Sequence, residues 1–104
     1  MAAVKIRENI YWVGAIDWKV RVFHGYMVPY GTTYNAYLVI DEKITLIDTV
    51  KAPFSGELLA NIAELVDPAK IDIIISNHVE PDHSGALPEI VRVCENAEIY
   101  ATQN

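Results

Sequence analysis

The sequence predicts a mixed α/β (α+β) domain, with a strand-rich N-terminal half followed by helix, strand, loop, helix and strand. Three observations carry this. Short runs of branched and aromatic residues, stopped by glycine, fill the first half. After Pro53 the apolar spacing becomes that of a helix. Residues 71–75 are then continuously apolar except for Asp72, and read as a strand buried on both faces. A sheet built in this order is mixed, with helices on at least one face.

Taken in order, residues 10–13 form a short aromatic strand that Gly14 stops. Residues 20–23 alternate as a second strand before Gly25. Residues 34–40 form a third, rich in aromatic and branched side chains. Asp41 and Glu42 read as a two-residue turn into a fourth strand at 43–48, without a glycine to favour the hairpin. In the following helix Leu58, Leu59, Ile62, Leu65 and Val66 share one face, and Glu57 suits the positive N-terminal end. Asp67-Pro68 ends it, because the residue before proline avoids the helical region. Residues 87–93 form a second helix, with Pro88 tolerated in its first turn. Glu98, Ile99 and Tyr100 begin a last strand.

The 104 residues suffice for one small domain or part of a larger one. At 52% hydrophobic and 21% charged, with no biased tract, the chain has the composition of a folded protein. Its formal net charge is -6, and its 8 Lys and Arg form no cluster. Nucleic acid and anionic membrane are therefore poor partners. Small molecules, metal cations and proteins remain. The single cysteine, Cys94, reads as a small apolar residue on a helix, which fits a reducing compartment. The N-terminus has no apolar core of signal-peptide length, and no apolar run could span a bilayer. A cytoplasmic protein is expected.

The chemistry concentrates just past the 71–75 strand. His78, Glu80, Asp82 and His83 are all ligand-type residues on one loop, where side chains leave a rigid support. His78 and Glu80, two apart, project to the same side in extended backbone. Asp82 and His83 lie where the chain turns into the next helix and can face a second position. Two metals side by side is the natural reading. Imidazole with carboxylate, without thiolate, suits iron, manganese or zinc, and two carboxylates favour iron or manganese.

His78-Val79-Glu80-Pro81-Asp82-His83-Ser84-Gly85 resembles the first ligand motif of the metallo-β-lactamase superfamily. Hydrolases of that superfamily have His where Glu80 stands. The Glu form resembles the flavodiiron proteins, or A-type flavoproteins. Upstream, residues 12–18, Phe23-His24-Gly25, residues 31–39 and Leu46-Ile47-Asp48-Thr49-Val50 resemble that family's N-terminal domain, in order.

The resemblance implies that the chain, 1–104, is a partial metallo-β-lactamase-like domain. It would be about the first half of an αββα sandwich, a mixed sheet with helices on one face. It also implies reduction of dioxygen to water, or of nitric oxide to nitrous oxide, at a non-haem diiron site. His78 and Glu80 would ligate one iron and Asp82 the other, and His83 matches a position that ligates the second iron in some members. Asp48 would brace the ligand loop, and His24 would line the diiron pocket. Trp12, Trp18, Tyr34 and Tyr37 read as core residues.

In the family, flavin mononucleotide sits in a flavodoxin-like domain with no counterpart in this sequence, and rubredoxin is a typical electron donor. The further ligands of the family's site also lack counterparts, so the chain alone is expected to be inactive. Its inner sheet face would stand open to water, which predicts a homo-oligomer. Two alternatives are a metal-dependent hydrolase of the superfamily and a non-catalytic half-domain that pairs with another chain.

Overall fold

The computed structural model describes residues 3–17, 22–23, 26–27, 32–77 and 85–101. The chain opens with strand β1 (Val4–Arg7), which turns antiparallel into β2 (Ile10–Trp12). Asn9 sits in the turn at φ 67, a left-handed conformation that asparagine tolerates better than most residues. β1 is exposed along its length, so no burial pattern marked it in the sequence. Backbone pairing to β2 is what makes it a strand.

Gly14 interrupts the chain, but β structure resumes at β3 (Ala15–Asp17). The strand expected at 20–23 is described only in part. β4 (Val22–Phe23) pairs antiparallel with β5 (Tyr26–Met27), and residues 20–21 lie outside the described residues. The run at 34–40 is two strands rather than one. β6 (Thr32–Tyr34) pairs with β3 in a small sheet, and β7 (Tyr37–Ile40) joins β2 in the main one. Asn35 and Ala36 carry the chain between them, and the Val13 N–H donates to the Ala36 carbonyl at 2.9 Å. β8 (Ile44–Ile47) returns antiparallel to β7 with Ile40 opposite Ile44. The turn is therefore residues 41–43 rather than the two residues expected.

Helix α1 (Ser55–Ala63) follows a short 3-10 turn, Ala52–Phe54. It ends earlier than the apolar spacing suggested. Leu65 and Val66 leave the helix, and both their N–H groups donate to the Ile62 carbonyl at 2.9 Å. Asp67 is extended, as a residue before proline should be, and its carboxylate accepts from the Ala69 N–H at 3.0 Å. β9 (Ile73–Ser76), α2 (Leu87–Val93) and β10 (Glu98–Ala101) complete the chain.

The main sheet has the order β1-β2-β7-β8-β9-β10. β8, β9 and β10 are mutually parallel, and the other neighbours are antiparallel. Each parallel step needs a crossover, which α1 and α2 supply. Right-handed crossovers running in the same direction put both helices on one face. Register shows which residues line it. Leu38, Leu46 and Ile74 are paired across β7, β8 and β9, and all are fully buried. They share one buried cluster with Leu58 and Ile62 of α1 and Ile90 of α2. Burying each such side chain contributes about 1.5–3 kcal/mol, so this layer dominates stability.

The other face differs. Tyr37, Ile47 and Ile75 form the adjacent register row and are only half-buried, and Tyr100 beyond them is 54% exposed. β9 is thus sealed on its helix face alone, not on both faces as its apolar run suggested. Of the aromatics expected in the core, Tyr34 is fully buried against the Phe54 ring and Trp12 is nearly so. The Trp12 indole N–H donates to the Asn35 side-chain oxygen at 3.0 Å. Tyr37 is half-buried, and Trp18 lies outside the described residues. Cys94 is buried but caps α2 rather than lying within it, and burial pushes its thiol up to about 11.

Candidate functional site

The carboxyl ends of parallel strands, where chains leave a rigid sheet, are the usual place for a site in such folds. Here those of β8 and β9 lie side by side. β8 ends at Asp48, which is buried and held at φ 62. For a residue with a Cβ this conformation costs on the order of 1–3 kcal/mol. Two hydrogen bonds hold it. The Asp48 N–H donates to the Ile75 carbonyl at 2.7 Å, continuing the ladder to β9. The Asp48 Oδ1 accepts from the Asn77 N–H at 2.8 Å. Asn77 is the last described residue before the predicted ligand loop.

The chain beyond β8 reaches the other end of that loop. Thr49 and Val50 are buried, and the Val50 carbonyl accepts from the Ala86 N–H at 2.9 Å. Ala86 is itself the N-cap of α2, and its carbonyl accepts from the Glu89 and Ile90 N–H groups. A shallow cleft of about 210 Å³ opens at the same end of the sheet, lined by Ile75, Ser76, Asn77, Tyr100 and Ala101.

The ligand candidates His78, Glu80, Asp82 and His83, and the pocket candidate His24, lie outside the described residues. Among the described residues, no three His, Cys, Asp or Glu side chains come together as a metal site. The Asp48 carboxylate meets the N–H of Asn77, the last described residue before those candidates. The sequence reading missed Asn77, Val50 and Ala86. Their contributions are backbone N–H and carbonyl groups, which leave no side-chain signature. Among the described residues, no helix is long and apolar enough to cross a membrane.

Comparison with known proteins agrees with this architecture. The chain is 54% identical over 103 residues to a rubredoxin-oxygen oxidoreductase of Megalodesulfovibrio gigas, covering 98% of this chain and 26% of that protein. It is 49% identical over 102 residues to a nitric oxide reductase of Moorella thermoacetica, covering 96% of this chain and 26% of that one. The crystal structure of the flavodiiron protein from Giardia intestinalis superposes with a TM-score of 0.89 at 39% identity, over 95% of this chain and 24% of that one. The chain thus spans about a quarter of the length of these relatives. The family model described as ODP family beta lactamase matches residues 32–104, most of the sequence, and the chain belongs to that family.

Proposed function

We propose that this chain contributes residues 78–83 to a non-haem diiron site at which dioxygen is reduced to water or nitric oxide to nitrous oxide. The observation that carries the reading is the hydrogen bond from the Asn77 N–H to Asp48 at the mouth of the His78–Glu80–Asp82–His83 loop. Near-50% identity to oxygen and nitric oxide reductases supports it.

The donor set fits iron: two imidazoles and two carboxylates, without thiolate. When bound, paired irons would supply a redox-active centre for a small diatomic. The chain's own residues have separate tasks. His78 and Glu80 would hold one iron, Asp82 the other, with His83 beside it. Asp48 keeps the start of the loop in register with β8. His24 would line the pocket.

In this reading electrons come from a donor such as rubredoxin through flavin mononucleotide held elsewhere in the whole protein. The half-buried sheet face favours association of two or more copies. A cytoplasmic setting fits Cys94, a buried free thiol.

Anaerobic titration with ferrous iron, with oligomer mass measured alongside, tests the reading. Iron uptake that Glu80→Ala abolishes is the expected result. Folded protein that takes up no iron would overturn it for this chain. Dioxygen or nitric oxide consumption is then to be measured with the full-length protein and a reduced donor.

A further inference from the structure

The main sheet has two outer strands, β1 and β10, and among the described residues no strand pairs with the outward side of either. The two edges differ in character. β1 carries Lys5 and Arg7, with its register shifted between them. Edge cations and irregularities of this kind discourage further pairing. β10 pairs with β9 in unbroken register along its whole length, and Glu98 is its one charge. Ile99 is 44% exposed and Tyr100 54%. β10 is therefore the edge fitted to receive another strand.

Its pairing with β9 fixes which groups it offers. The Glu98 N–H donates to the Asp72 carbonyl at 2.9 Å. Backbone groups alternate in direction along a strand. Those of Glu98 and Tyr100 therefore face β9, and those of Ile99 and Ala101 face outward. A complementary strand must run antiparallel and present its own N–H and carbonyl pairs at the same spacing. A second copy of β10 meets this description. A twofold axis normal to the sheet, passing beside Tyr100, keeps each face of the sheet on its own side. It sets Ile99 opposite Ala101 of the second copy, and every outward group then has a partner.

The side chains agree with that register. Tyr100 meets the second copy's Tyr100 on the open face as a closely spaced aromatic pair. Its hydroxyl donates to Glu98 of its own chain at 2.7 Å, so the ring is what it presents. Ile99 packs over Ala101 of the second copy on the helix face. The two Glu98 carboxylates fall about 14 Å apart, so like charges do not meet.

We propose that β10 is a dimerisation edge: two copies of this chain pair β10 to β10, antiparallel about Tyr100, and continue the sheet through the contact. Such a twofold contact closes on itself, whereas β10 pairing with β1 of a next copy would run on without end. The edge is a different surface from the half-buried sheet face, and it does not depend on the diiron reading. A contact one strand wide is small, so association varies with concentration.

Sedimentation of the metal-free chain over a concentration series tests the proposal. The mass should rise from one chain to two and stop there. Ala101→Pro removes an outward N–H at an edge position that tolerates proline. With that bond lost from both copies, the dissociation constant should rise about tenfold or more. Ile99→Lys leaves the backbone intact and should weaken the dimer as well. Circular dichroism shows that each variant is folded. Ile75→Asp, on the half-buried face, should leave the two-chain mass in place.

Cross-linking reads the register, in a Cys94→Ala background. Tyr100→Cys, on the axis, should form a disulfide between copies on mild oxidation. Ile99→Cys should not, because the two sites lie about 8 Å apart, beyond disulfide reach. A one-chain mass at every concentration overturns the proposal, as does a mass that grows past two chains. Association lost in Ile75→Asp and kept in Ala101→Pro also overturns it, and so does cross-linking in Ile99→Cys without cross-linking in Tyr100→Cys.

Discussion

Gly14 and Tyr34 lie so close that a Cβ built on the glycine would stand 1.9 Å from the Tyr34 carbonyl oxygen. The obstacle is backbone, which cannot rotate away as a side-chain tip can. This contact marks where the chain leaves the main sheet for the small β3–β6 sheet. Gly14→Ala should therefore cost about 3 kcal/mol or more, seen as a lower urea midpoint at unchanged slope. Gly56, with nothing within 4 Å of its would-be Cβ, is the control. Gly56→Ala in the exposed first turn of α1 should be neutral or stabilising by up to about 1 kcal/mol.

Asn61 holds the same junction from the helix side. It is 1% exposed, and its amide nitrogen donates to the Val13 carbonyl at 3.1 Å and the Gly14 carbonyl at 2.9 Å. Asn61→Ala leaves two buried carbonyls short of a donor and should cost about 2 kcal/mol. Asn61→Asp should cost more, because it turns a carboxylate oxygen toward those carbonyls. Thermal unfolding of the two variants should rank them in that order.

Neighbouring isoleucines on β9 should respond differently. Ile74 is fully buried under the helices, whereas Ile75 lies on the half-buried face. Ile74→Ala should cost about 2–5 kcal/mol. Ile75→Ala should cost about 1–2 kcal/mol in a monomer. If copies associate through that face, Ile75→Asp should lower the sedimentation mass while leaving the fold intact.

The Cys94 thiol gives stability a pH dependence. Burial raises it from 9.0 to about 11 in the folded chain. Between those values the unfolded chain has released a proton that the folded chain still holds. Stability from this group is thus complete below about pH 9 and falls as pH rises toward 11. Cys94→Ala should remove that component of the fall, read as the wild-type minus variant urea midpoint across the range. Iodoacetamide should label native Cys94 slowly at pH 8.

The elements legible in the sequence are those whose side chains report burial. Leu58 and Ile62 repeat at helical spacing, and the apolar run through Ile74 marks β9. β1 was not legible, because Val4, Lys5, Ile6 and Arg7 are all exposed and only backbone pairing orders them. The break at Asn35 and Ala36 was hidden inside a continuous strand-like composition, since a change of sheet leaves side-chain type unaltered. At the candidate site, Asp48 and the loop donors were legible as candidates through the resemblance their motifs carry, and the donors lie outside the described residues. The Val50 carbonyl and the Ala86 N–H were not, because every residue but proline has both groups.

The parallel strands at one end of the sheet also bear on the order in which it assembles. β7 and β8 close through a three-residue turn, a local event. The Asp72 carboxylate must cross 28 positions to accept from the Ile44 N–H, and the Asp48–Asn77 bond crosses 29. Chain entropy must be lost before such contacts form. The β7–β8 hairpin can therefore appear early, while β9 docks only after α1 has folded back. The Asp48–Asn77 contact is then among the later parts of the molecule to form, and substitutions at Asp48 should accelerate unfolding more than they slow folding.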